Sequence, residues 1–251
     1  EEKRRGITID LGFTWMELPD GRKAGVIDVP GHEKFIRNMA AGVGGMDLVL
    51  LVIAADEGVM PQTEEHLAIL RLLGVEHFIV VLNKCDLTDE EWTDMVEEQI
   101  REELADLLPE DVPFVRVSAK TGAGIDVLRS CIAEEMRKVE ESETEPGLLR
   151  LPVDRAFTMS GFGTVVTGTM LGGRIRKDDN LAVYPSGICC RVRGIQVYGE
   201  EVETCIQGQR TALNLAGTDR EAVRRGSVLA LPGSLKVWRT CHARLRVLKR
   251  S

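Results

Sequence analysis

The chain has 251 residues, 43% of them hydrophobic and 29% charged, which suits one large globular domain or two modest ones. The longest apolar run, Leu48 to Ala55, is eight residues, and the opening EEKRRG has no apolar stretch behind its charges. Neither a membrane span nor a secretory leader is therefore expected. The net charge of −8 conceals an asymmetry: residues 151–251 hold 16 Lys+Arg against 8 Asp+Glu, leaving 16 against 32 in residues 1–150. Opposite-signed halves fit either two domains of different pI or a second half that meets nucleic acid.

The first half alternates strand-like and helix-like segments. Ile7, Ile9, Leu11, Phe13 and Trp15 alternate with Thr8, Asp10, Gly12 and Thr14, the period of a half-buried strand. Pro19-Asp20-Gly21 supplies a turn, and Ala24–Val29 returns as a second strand. Leu48–Ala55 and Phe78–Leu82 read as buried parallel strands, with Phe114–Val117 a further one. Pro61 opens a helix carrying Leu67, Leu70 and Leu73, which Gly74 stops. Thr88-Asp89-Glu90-Glu91 is a capping-box pattern, followed by Trp92, Val96, Ile100, Leu104 and Leu108 on one helix face. Ile125, Leu128, Ile132, Met136 and Val139 mark another amphipathic helix. The expectation is an α/β domain with a mainly parallel sheet.

The polar, acidic stretch Glu140–Gly147 closes on Pro-Gly and reads as a linker. Beyond it the helical period disappears. Val153–Met159, Thr164–Met170, Leu181–Tyr184, Cys190–Val197, Gln209–Leu215 and Ser227–Leu231 are short strand candidates between Gly-rich turns, the pattern of a small antiparallel barrel. Arg239–Leu248 alternates again and reads as the first strand of a further domain. The expected layout is 1–143, a linker at 144–150, a barrel over 151–235 and the start of a second barrel over 236–251. Six cysteines, Cys85, Cys131, Cys189, Cys190, Cys205 and Cys241, form no CxxC pair, which points to free thiols in a reducing cytoplasm rather than to zinc or disulfides.

Three short motifs carry chemistry. Asp28-Val29-Pro30-Gly31-His32 follows a strand: the carboxylate is placed to hold Mg²⁺ through water, the glycine admits a backbone N–H to a γ-phosphate, and the His can orient a water. Alone it is as consistent with an ordinary strand-to-helix turn. Asn83-Lys84-Cys85-Asp86 follows the next apolar strand, where a carboxylate can accept from the N1–H and 2-amino group of guanine, a donor pair adenine lacks. Ser118-Ala119-Lys120 follows the strand after that and can offer a backbone N–H to guanine O6. Each is weak alone; the three in this order, each at a strand end, are specific.

With these motifs the chain resembles the translational GTPases, and within them the selenocysteine-specific elongation factors of bacteria. RRGITIDLGF (4–13), DVPGHEKFIRNMAAGVGGMDLVLLVIAADEGVMPQTEEH (28–66), VDRAFTMSGFGTVVTGT (153–169), RVRGIQVYG (191–199) and GQRTALNLAG (208–217) carry the resemblance. It implies a P-loop-type GTPase domain, here without its first strand, phosphate loop and first helix, followed by a tRNA-binding antiparallel β-barrel. It implies GTP or GDP and Mg²⁺ as ligands. Thr8 and Asp28 then serve Mg²⁺, Gly31 and His32 serve the γ-phosphate and the hydrolytic water, and Ile7 is half of a hydrophobic gate before His32. Asn83, Lys84, Asp86, Ser118, Ala119 and Lys120 read guanine. Asp154, Arg155 and Arg210 match an aminoacyl pocket, where arginine would favour an anionic selenolate over a neutral serine hydroxyl. Tyr198 stands where many relatives carry His.

The implied partners are selenocysteinyl-tRNA, the ribosome, and an mRNA hairpin gripped by C-terminal modules outside these residues, with a cytoplasmic, monomeric protein. No GxxxxGK[ST] occurs in the 251 residues, so this chain by itself is expected neither to bind GTP tightly nor to hydrolyse it. The missing strand is expected to leave flanks of Ala24–Val29 and Phe78–Leu82 unpaired. Elongation factor Tu, the initiation-factor gamma subunit and the sulfate-adenylylation GTPase are the related alternatives. A tRNA-binding module without catalysis is the alternative from another class.

Overall fold

A computed structural model of the chain describes residues 11–30, 45–142, 148–159, 161 and 163–243. Strands β1 (Gly12–Glu17) and β2 (Lys23–Asp28) form an antiparallel hairpin, with Gly12 opposite Asp28 and Trp15 opposite Gly25. Asp20 ties its turn: the carboxylate accepts from the Arg22 guanidinium and backbone N–H, which holds its pKa down at about 2.

Strands β3 (Leu48–Ala54), β4 (His77–Asn83) and β5 (Phe114–Arg116) are parallel and lie in that order, so β4 is central. Helix α1 (Pro61–Leu72) links β3 to β4, α2 (Glu90–Glu103) links β4 to β5, and α3 (Ile125–Ser142) follows. Successive β4 side chains point to opposite faces. Phe78, Val80 and Leu82 meet Leu67 and Leu70 of α1 and Val96, Ile100 and Leu104 around α2. Ile79 and Val81 meet Ile132 and Ala133 of α3 and Leu18 of the hairpin. The expected bare flank on Phe78–Leu82 is therefore absent, because β4 is paired on both sides. Among the described residues the Ala24–Val29 strand, β2, does pair on one side only, with β1, and β3 and β5 are the edges of the parallel sheet, where Val52 of β3 is 60% exposed.

The helix ends follow backbone chemistry. Pro61 stands in the first turn of α1, where its missing N–H costs no helical bond, and Gly74 (φ 86) closes the far end. At α2 the expected cap shifts by one residue. Asp89, not Thr88, accepts the Trp92 N–H at 2.8 Å, and the Thr88 hydroxyl turns to that of Thr93. Asp is as good a cap as Thr, and its position leaves Glu90 in the first helical turn. The helix ends at Glu103, so Leu108 reaches the same core from the turn beyond it. Helix α3 runs through Ser142, so the first residues of the expected linker are helical.

The second half is all β. Its strands are β6 (Leu151–Pro152), β7 (Arg155–Met159), β8 (Gly163–Thr169), β9 (Arg174–Arg176), β10 (Asn180–Tyr184), β11 (Ile188–Val197), β12 (Glu200–Val202), β13 (Thr204–Ile206), β14 (Arg210–Ala216) and β15 (Val228–Ala230). Apart from the β9–β13 pair they make one eight-stranded sheet in the order β6-β15-β10-β11-β14-β8-β7, with β12 on β11. Strands β6 and β7 stand at opposite ends of that path, yet only Val153 and Asp154 separate them in sequence. The sheet must therefore curl into a barrel. Gly168 marks the closure, since a Cβ there would run into the Pro152 carbonyl oxygen.

Alternate residues fill the barrel, among them Val166, Leu181, Val183, Val192, Ile195, Leu213 and Leu229. All six strand candidates are present to within a few residues. The three-residue β9, β12 and β13 are too short to show a period. Residues 239–243 of the expected last strand are irregular and pair with no strand among the described residues, and the rest of that segment lies outside them.

All six cysteines are free. Burial pushes the Cys190 thiol up to about 11 and that of Cys205 upward, whereas Cys189 and Cys241 are exposed. In a thiol-reagent titration at pH 8, Cys189 and Cys241 react at once, and Cys190 and Cys205 react only on unfolding.

Candidate functional site

The three loops at the carboxyl ends of β3, β4 and β5 are tied together by main-chain bonds. Ala55 N–H donates to Asn83 O at 2.8 Å and Cys85 N–H donates to Val117 O at 3.2 Å. This is the edge of a parallel sheet where open α/β folds place ligands. Asn83 Oδ1 accepts the Ala119 N–H at 3.0 Å, joining the NKCD and SAK segments across 36 residues of sequence. Asp86 lies in a 3-10 turn (Cys85–Leu87), where its Oδ1 accepts from the buried Ser118 hydroxyl at 2.6 Å. Ser118 Oγ accepts in turn from Thr121 N–H at 3.1 Å. Gly124 permits this loop: its φ is 74, and a Cβ would strike the Arg116 carbonyl oxygen. Ala119 and Lys120 are exposed beside it.

Lys84 takes the left-handed conformation (φ 63), and its ammonium bonds Glu57 at 3.0 Å and Asp56 at 3.2 Å, which raises its pKa. Nothing in the motif spacing announced these two carboxylates, which stand on the loop after β3. Trp92 braces that loop by donating its indole N–H to Ala55 O at 3.0 Å.

Asp28 ends β2 opposite Gly12, where an added Cβ would lie 3.5 Å from Asp28 Oδ2. A side chain at position 12 would thus crowd the Asp28 carboxylate. Thr8, Ile7, Gly31 and His32 lie outside the described residues.

On the barrel, Asp154, Arg155 and Arg210 do come together. Arg210 grips Asp154 with two nitrogens, Nη1 to Oδ2 at 2.5 Å and Nη2 to Oδ1 at 3.2 Å. The Thr167 hydroxyl donates to the same carboxylate at 2.7 Å. Both partners of the pair are less than a fifth exposed. Of the five guanidinium N–H groups, Asp154 and Thr167 Oγ1 take three, leaving the Nε–H and one Nη1–H.

The hairpin completes this site. The Arg210 guanidinium carbon stands 3.1 Å from the centroid of the Phe13 ring, and Arg155 stands 5.3 Å from the same ring. Arg155 Nη2 donates to Leu11 O at 2.7 Å. Phe13, Leu11 and Thr167 are the residues that sequence reasoning missed. The period-2 pattern marked Phe13 as half-buried but not what it would cover. Tyr198 lies elsewhere, in the turn after β11, and its hydroxyl donates to Lys23 O at 3.3 Å. A second contact joins the halves at Gly45, where a Cβ would sit 2.6 Å from the Thr169 methyl.

Residues 1–138 match the family described as Elongation factor Tu GTP binding domain, and residues 163–230 match Elongation factor Tu domain 2. The chain is 48% identical over 235 residues to the selenocysteine-specific elongation factor of Desulfomicrobium baculatum, covering 94% of this chain and 37% of that protein. It is 39% identical over 258 residues to elongation factor Tu 2 of Streptomyces avermitilis, covering 99% of this chain and 65% of that protein. The crystal structure of translation elongation factor SelB from Methanococcus maripaludis, bound to the GTP analogue GppNHp, superposes with a TM-score of 0.83 at 32% identity, covering 89% of this chain and 49% of that one. The chain thus spans little more than a third of the selenocysteine-specific relative and two thirds or less of the others.

Replacing Asp154 with Ala leaves the Arg210 guanidinium and the Thr167 hydroxyl without their acceptor. Urea unfolding is expected to show a loss of about 1–3 kcal/mol. Asp154→Asn, which keeps an acceptor for both, is expected to lose less.

Proposed function

Because the chain belongs to the elongation factor Tu GTP-binding family, we propose that it is the nucleotide- and aminoacyl-binding part of a translation factor that delivers selenocysteinyl-tRNA to the ribosome and hydrolyses GTP there. The observation that carries this reading is the pairing of two built sites. One is a guanine-reading loop set at the ends of β4 and β5. The other is a pair of arginines on the barrel, facing the β1–β2 hairpin.

In the first site, Asp86 supplies the acceptor for the N1–H and 2-amino donors of guanine. Ser118 holds that carboxylate in place, and Asn83 keeps the Ala119 loop against it. An adenine ring has no matching donor pair, so the site is selective by hydrogen-bond complementarity. Lys84, held by Asp56 and Glu57, brings its stem beside the base. Asp28 and Thr8 would hold Mg²⁺, which supplies charge neutralisation at the phosphates when bound. Gly31 is assigned to γ-phosphate contact, His32 to orienting the hydrolytic water, and Ile7 to excluding other water. These 251 residues include no GxxxxGK[ST] stretch, so by themselves they bind GTP weakly and do not turn it over.

In the second site, the two donors of Arg210 that Asp154 and Thr167 leave are suited to an anionic side chain. A selenol is more acidic than a thiol, so selenocysteine enters as an anion at neutral pH and gains charge-assisted hydrogen bonds that serine cannot match. The greater identity to a selenocysteine-specific factor than to elongation factor Tu 2, 48% against 39%, supports this choice. The domain layout follows: G domain over 1–143, tRNA-binding barrel over 151–235.

Calorimetric titration of the full-length protein tests the first site. Guanine nucleotides bind and adenine nucleotides do not; equal binding of both would contradict the reading. Asp86→Asn exchanges an acceptor for a donor, and is expected to move the preference from guanosine to xanthosine nucleotides, whose C2 carries a carbonyl oxygen.

A further inference from the structure

The turn between β11 and β12 is built from Tyr198 (φ 54) and Gly199 (φ 83), flanked by the paired residues Val197 and Glu200. Two consecutive residues with positive φ make the hairpin turn that Asn-Gly or Gly-Gly satisfies without strain. An aromatic side chain in the first position is an outlier that local preference does not explain. Its surroundings explain it. The Tyr198 ring packs on Trp15, with ring centroids 6.2 Å apart and planes inclined by 55°. It also faces Gly25, the residue opposite Trp15 in the hairpin, where an added Cβ would come within 3.8 Å of Tyr198 Cε1. The Tyr198 hydroxyl donates to the Lys23 carbonyl at 3.3 Å. Lys23 then folds back, its ammonium 5.0 Å from the Trp15 ring centroid and 3.0 Å from the Glu200 carboxylate. Five residues from two halves of the chain thus form one clasp.

Trp15 and Phe13 are two residues apart on β1 and share a face of the strand. The clasp that holds Trp15 against the barrel therefore sets where Phe13 lies on Arg210. We propose that Trp15 and Tyr198 are positioning residues for the aminoacyl pocket: their contact seats β1 so that Phe13 covers one face of Arg210 and leaves only the guanidinium edge to a ligand. The inference rests on the reading of Asp154, Arg155 and Arg210 given above, and extends it to two residues that make no contact with Arg210 themselves.

Arg210 is already fixed on two sides, by Asp154 and by Phe13. Without the Tyr198 ring β1 loses its seat, Phe13 no longer holds its place on Arg210, and the arginine stays paired with Asp154 but free to tilt, which weakens the directional bonds to an anion more than the contacts any aminoacyl group would make.

The test uses the full-length protein and one tRNA charged either with selenocysteine or with serine, comparing dissociation constants in the presence of GTP. Tyr198→Asn is the informative variant, because Asn suits a left-handed turn position and removes the ring with its hydroxyl. It is expected to keep or raise the thermal midpoint and to leave GTP affinity unchanged. The preference for the selenocysteinyl form is expected to fall about tenfold or more. Tyr198→Phe keeps the ring and keeps the preference. Trp15→Ala removes the contact from the other side, and should reproduce the loss if Tyr198→Asn folds poorly. A Tyr198→Asn or Trp15→Ala protein that retains the wild-type preference within about twofold overturns the proposal, this being the spread expected of mere surface changes. A wild-type protein without any preference overturns instead the reading of the pocket, and the proposal with it.

Discussion

Arg210 stands at the joint between the two halves of the chain, gripped by Asp154 from within the barrel and covered by Phe13 from the β1–β2 hairpin. A guanidinium is the one cationic group suited to both contacts, since it offers a flat face to a ring and a fork of donors to a carboxylate. The same residue that gives the barrel a positive group is therefore also a point of contact between the two halves. Closure of the barrel prepares this: Asp154 lies in the two-residue link between β6 and β7, where its N–H donates to Thr167 O at 2.9 Å. The curl of the sheet and the placement of the carboxylate are one event.

The loops at the ends of β4 and β5, proposed above to read guanine, are arranged on a different principle. There the order comes from the parallel sheet, whose central strand is buried from Phe78 to Leu82 and delivers Asn83 to its end. The Ala119 N–H bond to Asn83 and the Ser118 hydroxyl bond to Asp86 then fix the loops to one another, so the Asp86 carboxylate is already oriented. A preformed site loses little entropy on binding. The Asp154–Arg210 pair of the barrel is covered instead by a residue of the other half of the chain, Phe13.

Much of this was readable beforehand, and the limits have physical causes. NKCD and SAK stood out because apolar runs mark their strand ends clearly, and the structure brings the two segments together through Asn83–Ala119 and Asp86–Ser118. The barrel strands showed through their alternation. Phe13 and Trp15 showed the same alternation, but a period of two says that a face is covered without saying by what. Tyr198 was read by likeness to a pocket position, whereas the positive φ that takes it to Trp15 becomes visible only once β11 and β12 pair. The Lys84 contacts with Asp56 and Glu57 cross two loops that sequence order does not connect. The cap at Asp89 rather than Thr88 reflects two adjacent residues that are both good caps, of which Thr88 has its hydroxyl bonded to Thr93 instead.

The most direct test is protection of the aminoacyl ester. The full-length protein is loaded with GTP and mixed with one tRNA carrying either selenocysteine or serine, and spontaneous hydrolysis of the ester is followed over a range of pH. The account predicts strong protection of the selenocysteinyl ester at neutral pH and little of the seryl ester. The difference should fade as the pH falls far enough to protonate the selenol, since only the anion gains from Arg210. Equal protection of both esters at neutral pH, or a preference that does not change with protonation, would contradict it.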